Sequence, residues 1–381
     1  MASLALGEAL QGEGGGLLLN ESSEYVSAVP VSLVPEEEAL VNEIKLFVDD
    51  EHLLEGVDVL KELRELCSTS GRNTFRQIVQ QHEALRLASR CEQELYQLLC
   101  CLDPAKTETS GWIRVTQETD LRHVWYKEEK DTDSYSFRVE GLCRAPLFNM
   151  LSVVYEFDLF KNWFPGISAS AKEHELARFR LIASLGMDLP WPMWGMRSVL
   201  YAYGDVYNDD SVAIYFRDAV GSDMPAGVDV PAVDESNYVK ASCLYGGFHL
   251  IPIAEDKTFV KFCFNFDPKI AGLPTSFFNY VAQRTCIPLL GLMSKTARKI
   301  EGSEYERRIQ GKVSPKSAEI YKEIKERLAS IDVLGEADAG GDGETAPINE
   351  GRSNPAYCKY LQAFQIKMLE EALETDRTGK A

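Results

Sequence analysis

The stretch PTSFFNYVAQRTCIPLLGLMSKTARKI, residues 274–300, decides the fold class. Leu289, Leu292, Met293, Ala297 and Ile300 recur at the three- and four-residue steps of one helix face, and Pro288 places a kink inside that helix. Upstream the period drops to two. In SYSFRVE at 134–140, Tyr135, Phe137 and Val139 alternate with Ser, Arg and Glu; WIRVT at 112 and LRHVWYK at 121 open the same antiparallel meander. One helical stripe interrupts it after Pro146, formed by Leu147, Met150, Leu151, Val154 and Phe157, and ends near Trp163-Phe164-Pro165. Strand-like text resumes at 174–185, 197–207, 211–220, 238–250 and 257–266, broken by Asn208-Asp209-Asp210 and by the Gly/Pro/Asp-rich loop at 221–236. This order predicts an α+β fold, a helix-grip in which a curved antiparallel sheet wraps a long C-terminal helix.

Outward from that block, Leu40, Ile44 and Phe47, then Leu53, Val57 and Leu60, then Phe75, Ile78, Val79 and His82, then Leu95, Leu98, Leu99 and Leu102 predict three or four amphipathic helices ahead of the sheet. The expected organisation is a disordered Gly-rich tail over 1–35, a helical region over 36–109, the sheet-and-helix domain over 110–331, and an acidic linker with a short amphipathic helix over 332–381. A polar helix is expected from Pro315 to Leu328.

Composition narrows the function. The 381 residues carry 40 Lys and Arg against 59 Asp and Glu, a formal net charge of -19, which repels phosphate backbones and argues against a nucleic-acid partner. Nine scattered cysteines without C-x-x-C spacing suggest neither a disulfide framework nor a thiolate zinc site, and so a reducing, cytoplasmic setting. No basic residue precedes Lys45, so a leader is not expected, and no apolar run reaches the roughly 20 residues that span a bilayer. The five histidines form no H-E-x-x-H pair, and G-x-S-x-G, G-x-x-x-x-G-K and strand-borne G-x-G-x-x-G are absent, so metal, hydrolase and nucleotide chemistry lack their parts and no cofactor is expected.

NMLSVVYEFDLFKNWFP at 149–165, LPWPMWGMRSVLY at 189–201 and the 274–300 stretch, in that order and spacing, resemble a START domain, the lipid-transfer module of the steroidogenic-acute-regulatory type, over roughly Gly111 to Ile331. The resemblance implies a hydrophobic tunnel between sheet and closing helix that holds one lipid, with that helix moving as a lid and no catalytic residues. The expected lining is Trp191, Met193, Arg197, Tyr201, Tyr203, Phe216, Phe248, Phe262, Phe264, Phe277 and Val281, with Ile214 and Leu244 on the same strand faces. A lipid-sized apolar skeleton buried there would gain on the order of 10 kcal/mol before ordering costs.

Arg197 in WGMR corresponds to a tunnel-wall arginine of the family, with Ser198 in place of the usual acid. Headgroup contact and pairing with a protein carboxylate or carbonyl are equal alternatives for it, because a lone desolvated guanidinium is costly. Tyr203 occupies the position of a second arginine that sterol-binding members carry, so phospholipid, sphingolipid or fatty acid is expected over sterol. Residues 268–300 hold Lys269, Arg284, Lys295, Arg298 and Lys299 and no acid, which points to transient docking on anionic membrane surfaces through Lys295, Arg298 and Lys299; complementing the helix dipole is the alternative. Trp163-Phe164-Pro165 and Trp191, Met193 and Trp194 form rigid aromatic loops suited either to a membrane interface or to the core. Two other functions compete with lipid transfer: a cyclase or hydrolase of a hydrophobic substrate using Arg197, Tyr203 or His249, and a lipid-sensing adaptor that binds protein partners through the N-terminal helices.

Overall fold

A computed structural model describes residues 31–329, apart from 73, 104–110, 117–121, 130–131, 133, 189–194, 208–210, 222–223, 225–226, 237 and 270–274. The predicted tail through residue 30, the acidic linker and the C-terminal amphipathic segment lie outside the described residues.

Among the described residues four helices come first: α1 (Pro35–Asp49), α2 (Leu53–Thr69), α3 (Phe75–Gln81) and α4 (Glu83–Leu102). Local chemistry starts α1. Pro35 supplies a preset φ in its first turn, and the Glu37 carboxylate accepts from the backbone N–H of Val34 at 3.0 Å. In α4, Leu85, Ala88, Cys91, Leu95, Leu98 and Leu102 are all buried at the spacing of one helix face.

The sheet follows. Its strands are β1 (Ile113–Arg114), β2 (Arg122–Glu129), β3 (Ser134–Cys143), β4 (Ile167–Glu175), β5 (Arg180–Met187), β6 (Gly195–Tyr207), β7 (Ser211–Asp218), β8 (Tyr238–Lys240), β9 (Gly246–Ala254) and β10 (Lys257–Phe266). They run in the order β1-β2-β3-β10-β9-β7-β6-β5-β4, with β8 pairing β6. Every neighbour along that path is antiparallel, and β8 alone runs parallel to its partner. Helix α5 (Leu147–Tyr155) and a tight turn over Phe157–Asn162 sit between β3 and β4. The closing segment is α6 (Thr275–Val281), a wider π-type turn at Ala282–Cys286, and α7 (Ile287–Ala297); α8 (Glu304–Ile309) and α9 (Pro315–Leu328) come last.

Two predicted strands are split. Residues 174–185 span the hairpin between β4 and β5, and 238–250 divide into β8 and β9 around Ser242–Tyr245, where Leu244 is exposed instead of lining a strand face. Pro288 lies in the first turn of α7, which follows the π-type turn, so the irregularity expected at the proline is carried by Ala282–Cys286 just upstream.

Both faces of the sheet are covered. On the inner face, Val139, Phe216, Phe248, Leu250 and Phe262 pack against α5, Phe160, Phe277, Val281 and α7. On the outer face, Tyr201, Tyr203, Tyr215 and Cys263 join Ile44, Leu60, Leu63 and Leu98 of the N-terminal helices in one apolar cluster. The helices thus dock on the sheet with their apolar faces. Each large side chain buried there adds about 1.5–3 kcal/mol of hydrophobic stabilisation.

Helix α9, polar in sequence, buries one side: Ile320, Tyr321 and Ile324 pack on Phe148, Leu151, Tyr155 and Phe179. Gly311 lets it turn back. Its φ is +68°, and an added Cβ would lie 2.7 Å from Ala318 Cβ. Trp163 is buried among Phe160 and Phe164, so this aromatic loop belongs to the core.

Candidate functional site: two apolar cavities behind an aromatic partition

Two cavities open on the inner face of the sheet. The first, of about 80 Å³, lies between α5, strands β5–β7 and α9, and is lined by Leu151, Val154, Leu181, Ala202, Ile214, Ile324, Arg327 and Leu328 among others. The second, of about 110 Å³, lies between β5, β6, β10 and the π-type turn; its wall includes Leu185, Met196, Ser198, Leu200, Phe262, Phe264 and Thr285. Phe157, Phe160, Phe216 and Phe248 line both. Phe157 and Phe160 stack at 4.5 Å between ring centroids, and Phe216 and Phe248 stand 6.5 Å apart. These four rings stand between the two spaces as walls that both share. An apolar cavity of about 150 Å³ accepts a benzene, so each space alone, being smaller, takes only a few methylenes, and a lipid needs both spaces joined and widened.

The strand register explains which predicted residues meet here. Ala202 pairs with Phe216, Ile214 with Phe248, and Phe248 with Phe262, which puts these side chains on one face. Phe216, Phe248, Phe262 and Phe264 therefore line the second cavity. Phe277 and Val281 are buried in the adjoining core and belong to neither wall. Trp191 and Met193 lie outside the described residues.

Tyr201, Tyr203 and Arg197 require correction, because they occupy the opposite parity of β6. The Tyr203 backbone borders the first cavity, but its ring packs 5.9 Å from Tyr201 and 5.6 Å from Tyr215 on the helix-covered face. There burial pushes its phenol well above the usual range, with Cys91 and Glu94 adding to the rise. Arg197 crosses Gly186 on its neighbour strand, where an added Cβ would clash with the guanidinium, and stacks 3.9 Å from the Tyr238 ring centroid. It makes a cation–π contact on the outer face and lines neither cavity. His249 shares that face and meets Ser211 Oγ at 2.6 Å.

Residues missed in the sequence are Phe157, Phe160, Ser198 and Thr285, together with the α9 trio. The Phe157, Phe160, Phe164 spacing carried a signal for the first two. Nothing local marks Arg327. Its Nη1 donates to Asp205 Oδ1 at 2.9 Å and its Nη2 to Glu323 at 2.8 Å, while Leu54 N donates to Asp205 Oδ2 at 3.1 Å. Asp205 thereby ties β6, α2 and α9 together at the rim of the first cavity. Burial, reinforced by Glu55, pushes its carboxyl up to about 6 against the opposing pull of Arg327. A second junction holds α8 and α9 to α5: buried Glu156 accepts from Arg308 at 2.6 Å, Lys172 at 2.9 Å and Tyr321 at 2.9 Å.

His52, Glu55 and Asp205 place ligand atoms within 4.8 Å of one another. Arg327 and Leu54 already occupy the Asp205 oxygens, and the guanidinium repels a cation, so this cluster does not make a metal site. Lys295, Arg298 and Lys299 are exposed at the end of α7.

The topology itself decides the architecture: an antiparallel sheet bears a long two-part helix on its inner face, with α5 inserted between β3 and β4. The chain has a helix-grip fold. No family model matches it, and neither does any curated protein sequence. Solved structures similar to this helix-grip chain include human STARD10, at 15% identity over 57% of this chain and 85% of that one with a TM-score of 0.44. Human StAR-related lipid transfer protein 5 matches at 14% identity over 56% and 96% with a TM-score of 0.46. The Zhui aromatase/cyclase from Streptomyces sp. R1128 matches at 13% identity over 48% and 99% with a TM-score of 0.30. No helix among the described residues of this helix-grip is long and apolar enough to cross a membrane.

Proposed function

We propose that the chain encloses one lipid in the joined cavities and carries it between membranes, by binding and release without chemistry. The observation that supports this is the pair of apolar cavities that share four phenylalanine rings in their walls. An apolar chain that displaces those rings buries itself against carbon on every side, at about 25 cal/mol per Å² removed from water. Filling the space tests the reading. Ala202→Phe in the first cavity and Leu185→Trp in the second should each cut uptake of a fluorescent lipid from vesicles by about tenfold or more, with thermal unfolding little changed. Undiminished uptake in the double variant would place the lipid elsewhere.

For the enzyme alternative, Arg197, Tyr203 and His249 direct their side chains to the outer face of the sheet, away from the two cavities, which favours the carrier reading. Docking on an anionic membrane surface is the role we assign to Lys295, Arg298 and Lys299, which are exposed at the end of α7. Each exposed base near such a surface contributes about 1 kcal/mol. Their joint replacement by Gln should slow transfer from anionic vesicles by about tenfold and leave neutral vesicles nearly unaffected. Equal rates on both vesicle types would assign the three bases to the helix dipole alone.

A further inference from the structure

We infer that the molecule held in the second cavity is electrically neutral: an apolar chain or ring system that ends in a hydroxyl. This rests on the carrier reading above and adds the ligand's chemical class. Among the described residues, no Asp, Glu, His, Lys or Arg lines that cavity. Its polar side chains are Ser198, Thr285 and Cys243. Ser198 Oγ donates its proton to Ala241 O at 2.8 Å, which leaves the oxygen's lone pairs to accept from a ligand O–H. Thr285, 4% exposed, sits in the π-type turn on the helix side of the same space.

The nearest cation along β6 is Arg197, and strand alternation puts it behind the sheet, stacked on Tyr238. The ions at the first cavity, Asp205 and Arg327, satisfy each other and are further held by Leu54 N and Glu323. A carboxylate or phosphate driven into the second cavity would thus lose its water without gaining a counter-charge. A hydroxyl finds an acceptor, and a bare alkane leaves the polar atoms of the wall unanswered.

Four probes that share one chain length separate these possibilities: hexadecane, hexadecanol, palmitate and palmitoyl-lysophosphatidylcholine. Each is offered to the full chain at mildly alkaline pH, and the bound fraction is measured by mass spectrometry after gel filtration. Hexadecanol should be retained about tenfold or more over palmitate and over the lysophospholipid, and detectably over hexadecane. Thr285→Val, and independently Ser198→Ala, should lower hexadecanol retention about fivefold and leave hexadecane unchanged; either variant suffices if the other does not fold. Retention of palmitate or lysophospholipid equal to that of hexadecanol overturns the neutral class and leaves the carrier reading standing. Retention of none of the four, hexadecane included, overturns the carrier reading and this inference with it.

Discussion

Truncation of Glu140 to alanine should lower the free energy of unfolding by about 3–5 kcal/mol, the loss expected when one member of a buried ion pair is removed. Glu140 and Arg138 stand two residues apart on the outer face of β3, 2% and 0% exposed, with Nη2 to Oε2 at 2.7 Å. Arg138 also donates to the Asp103 carbonyl at the end of α4, at 3.2 Å, and lies over the Trp125 ring at 4.8 Å. Lys261, 1% exposed, faces Glu140 across the β3–β10 register. The carboxylate therefore sits in a buried, charged cluster at the end of α4, and its removal takes a counter-charge from Arg138 where the guanidinium is shielded from solvent. Replacing the pair together, Arg138→Met with Glu140→Leu, should cost less than Glu140→Ala alone, because the guanidinium no longer has to be desolvated. Urea unfolding of the three proteins measures both. A loss below about 1 kcal/mol for Glu140→Ala would mean that solvent reaches the pair.

Gly247→Ala should cost about 3 kcal/mol, at the upper end of overpacking effects. A Cβ at this position of β9 would stand 2.3 Å from the Ile214 carbonyl oxygen and 2.8 Å from both δ-methyls of Leu98. Leu98 can rotate away, but the carbonyl belongs to the β7 ladder and cannot. Leu98→Ala should therefore fail to rescue Gly247→Ala. Gly221→Ala, where an added Cβ meets nothing within 4 Å, is the control and should stay within about 0.5 kcal/mol. A neutral Gly247→Ala would show that α4 does not press onto the sheet as closely as the glycine allows.

These two positions also explain which parts of the molecule were legible in the sequence. Helix α9 was delimited from Pro315 to Leu328 by pattern alone, and β10 at 257–266 by alternation, because each presents a clear apolar period. The side of the sheet a residue faces was not legible. In β6, Leu200 and Ala202 turn inward while Tyr201 and Tyr203 turn outward, yet all four are buried, since α1–α4 cover the second face. When both faces are dry, period two carries no sign, and the larger rings drew the assignment to the wrong side. Arg197 was misplaced with them. The Asp205–Arg327 junction joins residues 122 positions apart, a distance over which no local pattern operates. Among the cavity residues, the phenylalanines of β7, β9 and β10 were found because their parity happened to match the guess, and Thr285 was missed because a lone threonine in a helix has no signature of its own.

The widened turn in the closing helix has a consequence for angular phase. Phe277, Val281, Thr285, Leu289, Met293 and Ala297 are all buried, a strict step of four residues. On an ideal α-helix of about 3.6 residues per turn, each such step overshoots by roughly 40°, so the stripe would spiral around to the solvent side before reaching Ala297. The five residues from Ala282 to Cys286 adopt the looser winding and absorb part of that overshoot, so that one sheet face can hold both halves of a helix whose side chains were written in fours.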